Sequence, residues 1–327
     1  MTASAIDAVL ACYGLERRGA PVPVVNGTLN DNYRVETTAG PVFVRRYRSD
    51  RDRGHLDGEH EVIAFAAEHG IPVSAPLPAS DGAIIVDLNA SAWAVFPWID
   101  GRTPARGSVT AVEAYALGEM HGRIHAAFAR HAGSVGATFQ MRWDKDETLR
   151  LLRKCSELAR ERDEPEDVQE ALAFNHELLE GTPIEPPSYF ASLPCQLTHG
   201  DYHAEQVLFD ADGTIAAVTD WELYQQTSRV WEVVRSLSFS QVLHTPAAER
   251  YLHGYREHAT LSEDELRLGI QLWWQSRVNG GWVWYAYFIQ GNQRVRQLFP
   301  SIAPELRMLA DQDYREQLAA RLIAASR

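Results

Sequence analysis

The feature that most constrains the fold of this chain is a change of hydrophobic pattern partway along it. Before the change, β-rich stretches alternate with turn residues, as in residues 22–47, where Asn26-Gly27 interrupts the apolar runs. After it, long segments keep the three-to-four-residue spacing of helices. The change predicts an α+β chain in two lobes, a sheet lobe of residues 1–98 and a mainly helical lobe of residues 99–327.

Within the first lobe, the sequence predicts a helix over Leu56–His69 that ends before Gly70. Two strands are predicted after it, within residues 82–88 and 91–99. A short amphipathic helix is expected at the start of the chain, with one apolar face formed by Ile6, Val9, Leu10 and Tyr13.

The second lobe begins with a long helical pattern within residues 109–131. Charged residues 145–180 follow and predict two helices, interrupted near Pro165. Two apolar strands then flank the turn at residues 210–213, which predicts a hairpin. From Arg229 onward the pattern is helical again.

The bulk composition limits the range of partners. Acidic residues outnumber basic ones by 44 to 31, and the formal net charge is −13. A negative chain repels nucleic acid and anionic membranes, so neither is an expected partner. The three cysteines form no CxxC pair, and no apolar run reaches the roughly eighteen residues of a membrane span. With no secretory signal at the start, we expect a soluble, cytoplasmic monomer or homodimer.

The segment with the strongest chemical content is HGDYHAEQ, residues 199–206, which precedes the hairpin; VTDWE, residues 218–222, follows it. Asp201 and Asp220 therefore lie at opposite ends of one hairpin and can face a common cleft. Phosphoryl transfer needs one carboxylate to orient the acceptor hydroxyl and oxygen ligands that hold magnesium against the nucleotide phosphates. Asp201 suits the first task and Asp220 the second.

These two segments resemble the signature of the aminoglycoside phosphotransferase and choline kinase superfamily, HGDxHxxN followed by a second Asp in an I-D-W/F/Y-E setting. The resemblance implies a bilobal, protein-kinase-like fold that binds ATP and Mg²⁺ and phosphorylates a hydroxyl group. It also implies that Asp201 is the catalytic base or hydroxyl-orienting residue and that Asp220 is the principal magnesium ligand. His199 would brace the loop by packing and hydrogen bonding.

One departure from this signature matters, because Gln206 replaces the asparagine that is the second magnesium ligand in the family. Glutamine offers the same neutral carbonyl oxygen on a side chain that is one methylene longer. A maltokinase-like branch of the superfamily also resembles this chain in having glutamine there. We therefore retain Gln206 as the second metal ligand.

The first lobe resembles the same family in three segments. Residues 27–35 resemble the loop that covers the phosphates, although they contain a single glycine. In the strand of residues 42–47, Arg45 occupies the place of the phosphate-binding lysine, and Glu59 falls at the position of its helix partner. A solvated, arginine-rich strand end is the alternative interpretation of Arg45.

Residues 92–101 resemble the interlobe hinge, where backbone groups bind adenine and side chains enclose it, so Phe96 and Trp98 are expected to line the nucleotide site. Aromatic residues also concentrate near the C-terminus, where they form either core or part of the acceptor pocket. These residues are Trp273, Trp274, Trp282, Trp284, Tyr285, Tyr287 and Phe288.

The leading functional hypothesis is a small-molecule kinase whose acceptor is an amino sugar, an amino alcohol, a sugar or an aminoglycoside-like compound. The acidic net charge favours a neutral or cationic acceptor, unless the excess charge lies on the outer surface. Two alternatives stay open. One is a Ser/Thr protein kinase similar to a bacterial stress-response kinase of this fold, and the other is a pseudokinase that binds nucleotide without transferring phosphate.

Overall fold

The computed structural model describes residues 3–24, 30–47, 52–131, 133 and 143–327. The predicted turn at Asn26-Gly27 and the first part of the 27–35 loop lie outside these residues. The described part of the first lobe contains a five-stranded antiparallel sheet with the order β1-β2-β3-β5-β4. Its strands are β1 (Val22–Val24), β2 (Asp31–Thr37), β3 (Gly40–Arg46), β4 (Val86–Leu88) and β5 (Ser91–Pro97), and two helices pack on it, α1 (Ala3–Cys12) and α2 (Arg53–Glu68).

The two faces of this sheet follow from the alternation of side chains along β3. Val42 and Val44 point to one face, where they form a buried apolar cluster with residues of α1, including Val9. Phe43 and Arg45 point to the other face, towards α2. One face of the sheet is therefore covered by an apolar cluster, and the other face carries the charged side chain of Arg45.

The boundaries of α2 and β4 differ from the predicted ones. The helix begins at Arg53 because the Asp52 side chain caps it, accepting a hydrogen bond from the His55 amide at 2.8 Å. The strand expected over residues 82–88 begins only at Val86, since the residues before it form a turn that Gly82 closes onto Ala79.

The second lobe is mainly helical. Its helices are α3 (Ala111–Phe128), α4 (Lys145–Glu161), α5 (Glu166–Gly181), α6 (Arg229–Phe239), α7 (Ala247–Tyr255), α8 (Glu263–Val278), α9 (Trp282–Trp284), α10 (Phe299–Ala310) and α11 (Gln312–Ser326). Two small antiparallel sheets lie among them, one of β6 (Cys195–Thr198) with β9 (Gln225–Ser228), and one of β7 (Val207–Phe209) with β8 (Ile215–Val218).

Helices α3 and α7 approach each other closely because glycine is present on both. A Cβ atom at Gly118 of α3 would lie 1.8 Å from the carbonyl oxygen of Tyr251, and one at Gly254 of α7 would lie 2.1 Å from the carbonyl oxygen of Tyr115. Any larger side chain would separate these helices. Their contact places buried α3 histidines beside α7 tyrosines.

The C-terminal aromatic residues belong mainly to the core of the helical lobe. Trp273, Trp274, Trp284, Tyr287 and Phe288 are buried, whereas half of Trp282 is exposed. The core interpretation therefore accounts for most of them. None of the helices in the described ranges is long and apolar enough to cross a lipid bilayer.

Candidate active site

The HGD loop follows β6 and is shaped by Gly200. This residue has φ +83°, and a Cβ atom there would lie 1.7 Å from the carbonyl oxygen of Leu223. His199 is fully buried beside it; its Nδ1 accepts the Asp201 amide at 3.2 Å, and its Nε2 donates to the carbonyl oxygen of Thr219 at 2.9 Å. His199 thus bonds the loop on one side and the end of the β7–β8 hairpin on the other.

A buried carboxylate supports the loop from below. Glu232 of α6 accepts hydrogen bonds from the Gly200 amide and from the Nε2 atoms of His121 and His125, at 3.2 and 2.9 Å for the two histidines. Burial alone would raise the pKa of Glu232, but the hydrogen bonds from the histidines hold it well below its usual value. Glu232 is therefore an anion in the interior, and it fixes the backbone that leads into Asp201.

Asp201 lies between two side chains that donate hydrogen bonds to it. Its Oδ1 accepts from Arg235 of α6, and its Oδ2 accepts from the amide nitrogen of Gln206 at 3.1 Å. The Nε2 atom of His203 is 3.8 Å from Oδ1. Burial would raise the pKa of Asp201, but Arg235 and His203 outweigh it and hold the pKa well below its usual range. The carboxylate is thus ionised and fixed in orientation.

Asp220 is held near this loop by the residue before it. The amide and the hydroxyl of Thr219 both donate to the backbone carbonyl of Gln206, at 2.9 and 3.1 Å. Asp220 itself has φ 62°, in the left-handed region, and about a quarter of its side chain is exposed. A non-glycine residue in that conformation is uncommon and costs free energy, so the packing around it must enforce it.

Arg45 joins the sheet lobe to this region. Its Nε donates to Asn32 at 3.2 Å, Nη1 to Glu59 at 3.4 Å and Nη2 to Asp220 at 3.1 Å. Burial would lower the pKa of Arg45, yet the carboxylates of Asp220 and Glu59 raise it, so the cation is secured. The structure brings Arg45, Glu59 and Asp220 together, and it does not show the solvated strand end considered as the alternative, because only 8% of Arg45 is exposed.

The two residues predicted to line the nucleotide site, Phe96 and Trp98, occupy different surroundings. Phe96 is buried below α2, stacks on His60 with a centroid distance of 6.0 Å, and lies 6.0 Å from the Arg45 guanidinium. Trp98 follows β5, donates from its indole to Asp100 at 3.0 Å and lies 5.0 Å from the Arg34 guanidinium. Only Phe96 therefore adjoins the Arg45 cluster.

The sequence pattern did not reveal two residues of this site, Glu232 and Arg235. They lie one turn apart on α6, so their spacing shows that they share a helix face. The pattern does not show what that face contacts. Both bond the HGD loop, which is more than thirty positions away along the chain.

Comparisons with known proteins agree with this geometry. Residues 22–267 match the sequence profile of the phosphotransferase enzyme family, APH. The chain belongs to this family. It is 23% identical over 276 residues to a homoserine kinase of Caulobacter sp. (strain K31), a match that covers 81% of this chain and 80% of that protein.

Solved structures share the fold along nearly the whole chain. A microcompartment-associated aminopropanol kinase superposes with a TM-score of 0.66 at 17% identity, covering 98% of this chain and 100% of that one. A spectinomycin phosphotransferase in complex with ADP and spectinomycin superposes with a TM-score of 0.63 at 14% identity, covering 98% of each chain. The predictions of family, of α+β kinase-like fold and of a kinase acting on an alcohol group are therefore confirmed. The lobe boundary and the roles of individual residues stay predictions.

Proposed function

We propose that this protein transfers the γ-phosphoryl group of ATP to a hydroxyl group of a small molecule, with magnesium as the metal. In this proposal Asp201 orients the acceptor hydroxyl, and Asp220 and Gln206 are the metal ligands. Arg45, held by Glu59, contacts the nucleotide phosphates. Phe96 and Trp98 border the adenine at the boundary between lobes 1–98 and 99–327.

The observation that carries the proposal is the bonding between the two ends of the hairpin. Thr219, the neighbour of Asp220, bonds to His199 and to the backbone of Gln206, while the Gln206 side chain bonds to Asp201. These bonds fix the positions of Asp201 and Asp220 relative to each other. Phosphoryl transfer depends mainly on such positioning, because the protein supplies little covalent chemistry.

The donor set fits a hard divalent cation. Asp220 offers a partly exposed carboxylate, and Gln206 offers an amide oxygen. Asp201 can only accept hydrogen bonds when ionised, so the nitrogen of the Gln206 amide faces it and the oxygen is turned away. That oxygen makes no hydrogen bond within the described ranges. Two oxygen ligands are what magnesium usually takes from a protein when phosphates and waters supply the rest, and the metal would there neutralise phosphate charge.

The substrates named for similar proteins support a small-molecule acceptor. One amicoumacin kinase of this fold has been solved in complex with AMP-PNP, Ca²⁺ and Ami, and the curated relatives include homoserine kinases. These acceptors differ widely, so the fold alone does not select among them. We further propose that the kinase works in the cytoplasm as a monomer or homodimer without nucleic acid, which suits its three free cysteines.

The proposal is tested by ADP release from ATP with a panel of amino alcohols, hydroxy amino acids, sugars and aminoglycosides. Turnover should require an acceptor and magnesium, should stop with EDTA, and should fall by about 10²- to 10⁴-fold in Asp201→Asn. The control is Asp212→Asn, which changes an exposed acid in the turn of the same hairpin and should leave the rate unchanged. Tight MgATP binding without turnover of any acceptor would instead favour a pseudokinase, and phosphorylation of proteins alone would favour a protein kinase.

A further inference from the structure

Asp201 has a second side, formed by helices of the C-terminal lobe. Arg235 reaches it from α6, whereas Asp220 is held by Arg45 from the sheet lobe. If nucleotide and metal occupy the Arg45 side, the acceptor must approach Asp201 from the helical side. The side chains there should therefore reveal the chemistry of the acceptor.

The Arg235 guanidinium is only partly satisfied. One terminal nitrogen donates to Asp201, while Nη1 is buried and has no hydrogen-bond partner in the described part of the chain. About 12% of the side chain is exposed, and the guanidinium lies 4.5 Å from the ring centroid of Phe239. A buried donor without a partner has lost its hydrogen bonds to water and gained none in return, so such a group calls for an explanation.

A second arginine lies near the same ring. The guanidinium of Arg277, on α8, is 6.0 Å from the Phe239 centroid, and its Nε donates to Glu305 of α10 at 2.8 Å. Its two terminal nitrogens have no hydrogen-bond partner among the residues that the structure describes. Two cations thus lie near one phenyl ring, and one of them, Arg235, bonds Asp201.

The two acids of this region are already engaged. Both oxygens of Asp201 accept hydrogen bonds, as described above. Glu305 accepts on Oε1 from the Ser238 hydroxyl and from the Trp273 indole, and on Oε2 from Arg277. The remaining capacity of the region is thus hydrogen-bond donation from guanidinium groups, which match a carboxylate in shape and charge.

We propose that the acceptor carries a carboxylate on the same small molecule as its reactive hydroxyl, and that Arg235 and Arg277 bind this carboxylate. The acceptor is then a hydroxy acid or hydroxy amino acid. The inference rests on the proposed kinase function. An anionic acceptor differs from the neutral or cationic acceptor that the net charge of the chain favours. The arginines beside Asp201 outweigh that net charge, because they would contact the ligand directly.

The test uses acceptor pairs that differ only in the carboxylate. L-homoserine is compared with 3-aminopropan-1-ol, and L-threonine with 1-aminopropan-2-ol, by ADP release at saturating MgATP. At least one acid should exceed its decarboxylated partner in kcat/KM by about 10- to 100-fold, the range for losing a charged hydrogen bond. Equal or better use of the amino alcohols, of neutral sugars, or of glycerol 3-phosphate alone would overturn the inference while leaving the kinase function intact. No turnover with any acceptor would overturn both.

Variants locate the carboxylate site. Arg277→Gln should raise KM for the acid about 10- to 100-fold with little change in kcat, and it should leave KM for the amino alcohol unchanged. Glu305→Gln removes the carboxylate partner of Arg277 but leaves the positive charge of Arg277 in place. KM for the acid should therefore stay within about threefold of the wild-type value. Arg307→Gln, on the part of α10 that contacts Phe174, is the matched control. If Arg277→Gln and Glu305→Gln weaken both acceptors equally, Arg277 is structural and the assignment is wrong.

Discussion

The two arginines that contact the acids of this site differ in how completely the protein satisfies them. Each of the three side-chain nitrogens of Arg45 donates a hydrogen bond to a protein group, and the acceptors are Asn32, Glu59 and Asp220. Arg235 bonds only Asp201, and its other terminal nitrogen is buried without a partner in the described chain. A guanidinium whose donors all bond protein groups holds those groups in place, whereas one with an unpaired donor can bind a ligand.

The difference also follows the architecture. Arg45 lies on β3, the central strand of the sheet, where β2 supplies Asn32 and α2 supplies Glu59 as its partners. Arg235 lies on α6 beside Phe239 of the same helix, while α8 contributes Arg277 and α10 contributes Glu305. The Arg45 side, to which we propose that nucleotide binds, can therefore be common to kinases of this fold, while the proposed acceptor side can vary with the helices that surround it.

The largest effect is expected for Asp220→Ala, which removes the one carboxylate assigned to the metal. Magnesium-dependent turnover should fall below detection, since the remaining amide ligand carries no charge. ADP release measured over a magnesium titration checks this, with Asp212→Ala as the control acid. Wild-type turnover in Asp220→Ala would show that the metal is held elsewhere.

Asp201→Asn should lower kcat by about 10²- to 10⁴-fold, the usual contribution of a positioned acid–base group. KM for ATP should change little, because we propose that Asp201 orients the acceptor hydroxyl and not the nucleotide. Steady-state kinetics separate the two constants. A change confined to the KM for ATP would place Asp201 at the nucleotide, and the contrast between the Arg45 and Arg235 sides would then be wrong.

Arg45→Lys tests whether the nucleotide side depends on a complete set of bonds. A lysine cannot span Asn32, Glu59 and Asp220 together, so kcat/KM for ATP should fall about 10- to 100-fold. The control is Arg46→Lys, on the same strand, where the arginine is partly exposed and pairs with Asp31. Equal losses in the two variants would mean that the buried cluster has no special role.

The pH dependence of stability tests the buried support of the acceptor side. Burial, with a smaller effect of His125, lowers the pKa of His121 to about 3 from an ordinary value near 6.5. Below about pH 6.5, His121 therefore binds a proton in the unfolded chain but not in the folded one. The free energy of unfolding consequently falls as the pH decreases. The slope is at most about 1.4 kcal/mol per pH unit for this group.

Urea unfolding between pH 7.5 and 5 measures this slope, and His121→Gln should make it shallower. The range stays above the ordinary pKa of glutamate, so Glu232 contributes little to it. His253→Gln changes a partly exposed histidine on α7 and should keep the wild-type slope. An unchanged slope in His121→Gln would show that His121 does not resist protonation in the fold.

The smallest effect is expected for Gln206→Asn, which keeps the amide oxygen on a shorter side chain. Activity should stay within about tenfold of wild type, with a higher magnesium requirement. Gln206→Leu removes the oxygen and should be clearly worse than Gln206→Asn. Equal activity in the two variants would remove Gln206 from the metal site.

Much of the fold could be predicted because it follows local spacing. The β-to-helix change, the break between α4 and α5 at Pro165 and the hairpin around residues 210–213 are all visible as patterns of apolar and turn residues. The β6–β9 pair was not predicted, since its strands are short and separated by the whole hairpin segment. The start of α2 was misplaced by three residues because the cap at Asp52 was not recognised.

The sequence by itself determined the reaction class, because HGD and the second aspartate lie at the ends of one short hairpin, and it indicated the Arg45–Glu59 pair by resemblance. Tertiary structure alone decided what surrounds Asp201. The bonds from Glu232 to Gly200 and from Arg235 to Asp201, and the approach of Arg277 to Phe239, join separate elements. Such partners depend on how whole helices pack, and local residue spacing carries no record of that packing.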